Sequence, residues 1–515
     1  MFRCSLCFIV VLLASSSACA QPKLNKAAKD TKETWESVFA RDKDGRDQQI
    51  GYTHLTLELV NVDGKNLIKA TRELRITFKR DGQLAQLRAE TGTEETADGK
   101  VMGVSMRHWI GENQTLTMKG TLDATGKKMN LKVESTVKNE FAAAWDEKAI
   151  GLAAEAVLLR ELKIAPGDSF TYRFFEPTIS SIAIVRVQVA SIEEVLLPRG
   201  GKQKLLRVES TPEKIQDVQL PSSQIWADPT TLEPVMTQIE MPDLGLLTLL
   251  RSTKEAATGP LGEVPDLMRL QTLRLGQRIS GDVHTLHGIT YKVTFKNDAE
   301  PGKLIKADDR QKLEKSEGKT FEFTVTALRL PRKLDKIEPP AEEFTKSNYF
   351  INSDDPTVKK LAITAVGKSA DTWQKAQAIE RWVRGNMKAV NYREAMATAD
   401  QVAKTLAGDC SEYAMLVAAM CRSQGIPSRT AMGLVYVDSK AFGGPALAFH
   451  MWTEVYVQGQ WLGLDATLGQ GSIGPGHIKI TDHSWHEIRD FKPLLPVTGF
   501  LIARPTIDIK SATKD

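Results

Sequence analysis

Cysteine and histidine are scarce in this chain, five and eight in 515 residues. Three of the cysteines, Cys4, Cys7 and Cys19, fall in the first twenty residues. That distribution excludes the disulfide framework that staples small secreted domains. Net charge is scarce too. A formal +4 gives no basis for nucleic acid, and no stretch reads as a basic recognition helix or an aromatic-basic stacking face. Past the N-terminus no apolar run is long enough to span a bilayer, no segment repeats convincingly, and there is no low-complexity tract. An apolar fraction of 42% with 26% charged residues is what soluble globular domains carry. The length leaves room for roughly two to four of them.

What the first twenty residues do have is an export pattern. Arg3 precedes the apolar run Cys7 to Ala14, and Ala18-Cys19-Ala20 before Gln21 fits a small-x-small cleavage site. Residues 1–20 read as a signal peptide, and the protein as secreted or periplasmic with no transmembrane span in the mature chain. The alternatives are an uncleaved anchor and a lipid on Cys19, although Ser16 stands where a lipidation site usually carries Leu. Once the leader is removed, only Cys410 and Cys421 remain. On a single helix, at about 1.5 Å per residue, they would sit roughly 16 Å apart, and a disulfide reaches about 7 Å between Cα atoms. Cys410 is therefore expected as a free thiol. Asn113-Gln114-Thr115 is a glycosylation sequon, meaningful only in a eukaryotic host.

The pattern from Gly51 to about Arg251 alternates with period two, as in Leu55, Leu57, Leu59; Leu74, Ile76, Phe78; Met129, Leu131, Val133; and Val185, Val187, Val189. Alternation means strands with one buried and one wet face, hence an antiparallel sheet. One interruption near Asp146 to Leu162, rich in Ala and Leu, reads as helical. Ser252 to Pro265 carries Thr258-Gly259-Pro260 without periodicity and reads as a linker. A second strand-like piece follows, closed by Pro339-Pro340. Beyond it the period becomes helical, with Asp371 to Gln374 as a capping box before Ala376, Ile379, Trp382, Val383 and Met387. The expected organisation is a β-rich domain over 21–251, a second β-rich module over 266–337, an α+β domain over 341–492, and a C-terminal strand and tail over 493–515.

Chemistry concentrates in the α+β domain. Asp409 and Glu412 form a helix-start signature around Cys410, and Gly425 with Pro427 forms a stop. The first helical position lowers a thiol's pKa through unpaired N–H groups and the positive dipole end. The same N–H groups can hold an oxyanion. Gly408 leaves a substrate room to approach, while the charge of Asp409 works against a thiolate. Cys421, mid-helix, reads as a small buried apolar residue.

Downstream, His450 to Val457 alternates like a strand, Gln458-Gly459 is a two-residue turn, and Trp461 to Asp465 resumes the alternation. In that register Val457 opposes Gln460 and Asp465 opposes Trp452. His450 and Asp465 then become diagonal neighbours on one face, about 7 Å apart along the backbone. A one-residue slip would separate them. An Asp accepting one ring N–H leaves the other nitrogen for the thiol, which completes a Cys410, His450, Asp465 triad.

Gly408-Asp409-Cys410-Ser411-Glu412-Tyr413-Ala414, Gly425-Ile426-Pro427-Ser428-Arg429, His450-Met451-Trp452-Thr453-Glu454 and Trp461 to Asp465-Ala466-Thr467 closely resemble bacterial transglutaminase-like domains. The order Cys, His, Asp matches, over roughly Phe344 to Lys492. The resemblance implies a papain-like fold, with Cys410 as nucleophile, His450 as base and Asp465 as its orienting acid. In animal members an upstream Trp helps hold the oxyanion, for which Tyr392 is the nearest aromatic here. Those enzymes also use calcium, but no EF-hand-like loop occurs in this chain, and no cofactor is expected. Ala466 stands where the family commonly shows Pro.

The expected activity is attack on a carboxamide or peptide carbonyl through a Cys410 thioester, followed by hydrolysis or transfer to an amine, with a protein or peptide as substrate. A non-catalytic module binding cell-surface protein or wall is the alternative. A metal centre from His477, Asp482, His483 and His486 is disfavoured because the spacing lacks paired zinc ligands, so no metal is expected. Oligomeric state is not legible.

Overall fold

The structure is a computed structural model that describes residues 32–514, apart from 42–43, 63, 81–82, 111–113, 135–138, 216–219, 242–244, 266–271, 297–303, 335, 370, 389–395, 440–441, 443 and 487–491. The expected signal peptide, Asn113 and Tyr392 lie outside the described residues. The fold is α+β, with a strand-rich N-terminal half and helices gathered in the C-terminal half.

Fifteen strands between Lys32 and Ser252 form one sheet. Alternation creates it: Leu74, Ile76 and Phe78 are buried, and so are Met129, Leu131 and Val133 on their strand. Leu59, at the end of its run, is 58% exposed, so that alternation outlasts the buried face. Strand Lys32–Arg41 lies mid-sheet, pairing with Asp47–Val62 on one side and Gly245–Ser252 on the other. From there the sheet extends to edge strands Asn139–Ala144 and Ala149–Ile150. Those two edges are joined by residues 145–148 alone, a connection that reaches less than about 20 Å even when extended. The sheet must therefore curl until its ends are neighbours. The helical interruption takes the form of two short helices, Leu152–Glu155 and Leu158–Leu162. The first is pinned by Glu95, whose carboxylate accepts from the Ala153 and Ala154 N–H groups at 2.8 and 3.0 Å.

The segment read as a linker is fastened to this sheet. Gln49 Nε2 donates to the Ala256 and Ala257 carbonyls at 3.0 and 2.9 Å, and Arg199 Nη2 donates to Ala256 at 2.7 Å. Gly262 N and Lys79 N close the run by donating to Gln49 O and Pro265 O. Backbone groups here are satisfied by side chains, a one-turn helix and isolated backbone contacts rather than by a ladder, which is why no period marks the segment.

The C-terminal half holds a five-stranded sheet. Thr272–Arg274, Gly444–Val457, Ser428–Ser439 and His477–His483 lie in that order, with Gln460–Leu464 paired to Gly444–Val457. Helix Cys410–Ser423 packs on the two central strands, surrounded by helices Pro356–Val366, Thr372–Asn386 and Ala399–Thr405. Asp371 caps the second of these, accepting from Gln374 N at 2.9 Å. A four-stranded sheet completes this half: Gln311–Glu317, Thr320–Thr326, Gly288–Thr294 and Thr506–Thr513. Residues 493–515, expected as strand and tail, also contain helix Leu495–Ala503. The piece between 272 and 329 thus pairs with the His450 strand at one end and with the C-terminal strand at the other.

Candidate active site

Asp409 is the N-cap of helix Cys410–Ser423 and Cys410 is its first residue, with a complete capping box. Asp409 Oδ1 accepts from Ser411 N at 3.0 Å, and Glu412 Oε2 accepts from Asp409 N at 2.9 Å. Such a cap is worth about 1 kcal/mol. It has two consequences that spacing alone did not foretell. The cap takes the Ser411 and Glu412 N–H groups, so they are unavailable to an oxyanion. Burial, together with Asp409 beside it, also pushes the Glu412 carboxyl well above its ordinary value.

Gly408 has φ +148°, and a Cβ there would lie 2.3 Å from Glu412 Cβ. The space attributed to substrate is occupied by the cap. Cys410, expected at an accessible helix end, is fully buried, and so are Asp409, Ser411 and Glu412. In this structure Cys410 is disulfide-bonded. This corrects the free-thiol expectation. Cys421 is a buried free cysteine whose thiol burial pushes strongly upward, as an inert core residue requires.

The hairpin has the expected register: Val457 pairs with Gln460 and Thr453 with Leu464. Gln458 and Gly459 both take positive φ, 51° and 87°, which matches the twist of a two-residue hairpin turn. Asp465 follows the last paired residue, and His450 Nε2 meets its Oδ2 at 2.7 Å. Both side chains are 1% exposed. The strand is tied to the cysteine helix by Thr453 Oγ1, which donates to the Ala414 carbonyl, one turn past Cys410, at 2.9 Å. A buried ion network braces the strand beside His450: Glu454 joins Arg429 at 2.7 Å and Lys479 at 3.0 Å. Burial pushes the Glu454 carboxyl up, but these two cations outweigh it and bring the group to about 2.

Asp465 is the hub of the site. Oδ1 accepts from Thr467 N at 2.9 Å and Leu468 N at 3.2 Å, while Oδ2 takes a second imidazole, His477 Nε2, at 2.9 Å. Burial raises the Asp465 carboxyl, and the two histidines pull it back far below the usual carboxylate range. Burial drives His477 down to about 3, more than Asp465 raises it, so it stays neutral. Two further groups crowd the site. His284 stands at 61° to His477 with centroids 5.4 Å apart. Glu380, on helix Thr372–Asn386, is pushed up to about 7 by burial, with Asp465 adding to the rise.

Neither Glu380 nor His284 was singled out by sequence, since each depends on a packing contact that no period records. For His477 the sequence suggests a different role, as one of a metal quartet. Of that metal quartet, Asp482 is consumed by Lys306 and Arg429, and His483 Nδ1 accepts from Trp485 N. His477 goes to Asp465. His450, Asp465 and His477 offer ligand atoms within 4.8 Å of one another, a set whose types suit zinc. Here Asp465 Oδ2 already takes a hydrogen bond from both rings.

No curated protein matches the sequence. Residues 359–466 match the Transglutaminase-like superfamily. Among solved structures, the chain is similar to the periplasmic domain of TgpA from Pseudomonas aeruginosa, at 13% identity over 37% of this chain and 95% of that one, TM-score 0.25. It is similar to a beta-barrel-like protein of a domain of unknown function from Brucella abortus, at 10% identity over 43% and 95%, TM-score 0.31. It is also similar to a TGase, at 15% identity over 39% and 56%, TM-score 0.19. The C-terminal region of this chain, across residues 359–466, is transglutaminase-like.

Proposed function

We propose that the protein is an exported cysteine enzyme that attacks a carboxamide or peptide carbonyl through Cys410, with His450 as base and Asp465 as orienting acid. The observation that carries this reading is the buried 2.7 Å contact between His450 Nε2 and an ionised Asp465. With Nε2–H given to Asp465, the ring nitrogen left for the thiol proton is Nδ1. The Cys410 proton passes to Nδ1, the sulfur adds to the carbonyl carbon, and the imidazolium returns the proton to the departing amine. A thioester remains. Water or a primary amine then attacks it, giving up a proton to His450 as the sulfur leaves. In the leaderless chain the remaining cysteine is Cys421, too far along the same helix to bridge to Cys410, so the reactive form is the mature, reduced protein.

Full burial of Cys410 favours a second reading, a non-catalytic transglutaminase-like module that binds surface protein or wall. Alkylation separates the two. Iodoacetamide should label the reduced mature protein at Cys410, Cys410→Ala should lose the label, and Cys421→Ala should keep it. Equal labelling of both variants would remove the nucleophile. Mass analysis of a peptide library, with and without a primary amine, then reads hydrolysis against transfer.

A further inference from the structure

We infer that His477 is a positioning residue for this site, donating its Nε2–H to Asp465 Oδ2 so that the carboxylate is held in the orientation His450 needs. The inference rests on the cysteine chemistry proposed above. Oδ1 is fixed by two backbone N–H groups of its own loop. Such contacts leave the carboxylate free to swing Oδ2 about that end. His450 alone cannot fix Oδ2, because the base must itself be oriented by it. His477 reaches the same oxygen from a different strand and closes the swing.

The chain leading into the His477 strand is anchored from outside that sheet. Arg310 Nη2 donates to the Gly474 carbonyl at 2.7 Å, and Tyr291 Oη donates to Pro475 at 3.0 Å, both from the module preceding the catalytic helices. Between the two histidine-bearing strands runs Ser428–Ser439, where Gly433 pairs with His450 on one side and Lys479 on the other. A Cβ on Gly433 would lie 1.9 Å from the Ile478 carbonyl. The strand carrying His477 is drawn in to a distance that only glycine permits.

The groups facing His477 are Asp465, His450, His284 at 5.4 Å and Trp452 at 5.2 Å between centroids. Its Nδ1 has no hydrogen-bond partner among the described residues, so nothing competes for the tautomer that protonates Nε2. A neutral donor adds no charge to the site. It lowers the proton affinity of Asp465, so the proton taken from Cys410 stays on His450.

The test is the pH profile of Cys410 alkylation by iodoacetamide in the reduced full-length chain, located by peptide mass. His477→Gln carries an N–H at nearly the same reach and should keep the rate within about three-fold, with both limbs unmoved. His477→Leu should lose about ten-fold or more, as removing a partner that orients a ligand or base does, and should shift the imidazolium limb. If the Leu variant fails to fold, His477→Asn replaces it, since its shorter amide cannot reach Asp465. Unchanged limbs and rate without the donor, or equal loss in the Gln and donor-less variants, would overturn the positioning role. A wild-type thiol no faster than free cysteine would sink the nucleophile instead and leave this role without a reaction to serve.

Discussion

Asp465 receives four donors, and that sets what a single atom exchange does. In Asp465→Asn the amide oxygen must face the Thr467 and Leu468 N–H groups, so the –NH2 falls where Oδ2 meets both imidazoles. Each histidine must then present an unprotonated Nε2, which leaves His450 Nδ1 carrying a proton and unable to act as base. We expect turnover of a peptide amide to fall on the order of 10⁴, with the chain still folded by circular dichroism. Survival within a few-fold would mean that another group orients His450. The residues of this pair were legible in sequence because each stands in a strongly patterned element: His450 on an alternating strand, Asp465 where the hairpin ends. His477 was visible only as a member of a disfavoured metal quartet. Its partner lies across a twelve-residue excursion, and nothing in the sequence says that burial keeps its ring neutral.

Among elements, the hairpin register and the capped cysteine helix could be read in advance, since a two-residue turn and a capping box each allow one geometry. The clamp on residues 252–265 could not, because its hydrogen bonds come from residues distant in sequence, Gln49, Lys79 and Arg199. Buried acids in regular elements were equally hidden, and they give the fold a pH signature. Glu176, at the end of strand Ser169–Glu176, is 3% exposed, and burial pushes it up to about 7 even as Thr178 N–H and O–H pull it down. Its folded value lies above the unfolded one. Its stabilising share is therefore complete below about pH 4.5 and is lost as pH rises through about 7. Glu176→Gln cannot ionise, so urea unfolding should show it gaining on the parent by on the order of 3 kcal/mol between about pH 4.5 and 8. Identical pH slopes for the two proteins would refute the assignment.

At the scale of the molecule, the module before Pro340 and the transglutaminase-like domain share structure that a boundary there would sever. Thr272–Arg274 adds to the sheet that carries His450, Gly288–Thr294 pairs with Thr506–Thr513, and Arg310 and Tyr291 hold the loop before His477. A fragment from about Glu338 to Asp515 should therefore aggregate. One from about Asp266 should stay monodisperse by size exclusion and keep iodoacetamide labelling at Cys410. A stable, reactive Glu338 fragment would show that the preceding module is dispensable.

The N-terminal sheet has a consequence in time as well as in space. Its middle strand, Lys32–Arg41, finds one neighbour within a hairpin and the other only at Gly245–Ser252, where Ser37 and Ser252 meet hydroxyl to hydroxyl at 3.0 Å across 215 residues of chain. Closure of so long a loop is among the slowest events in folding. The first-made strand must wait with one edge bare until the fifteenth is available. A chain threaded outward from its N-terminus would stay unable to close this sheet for nearly half its passage, and such delay keeps a polypeptide pliable enough to be moved before it becomes an object too large to move.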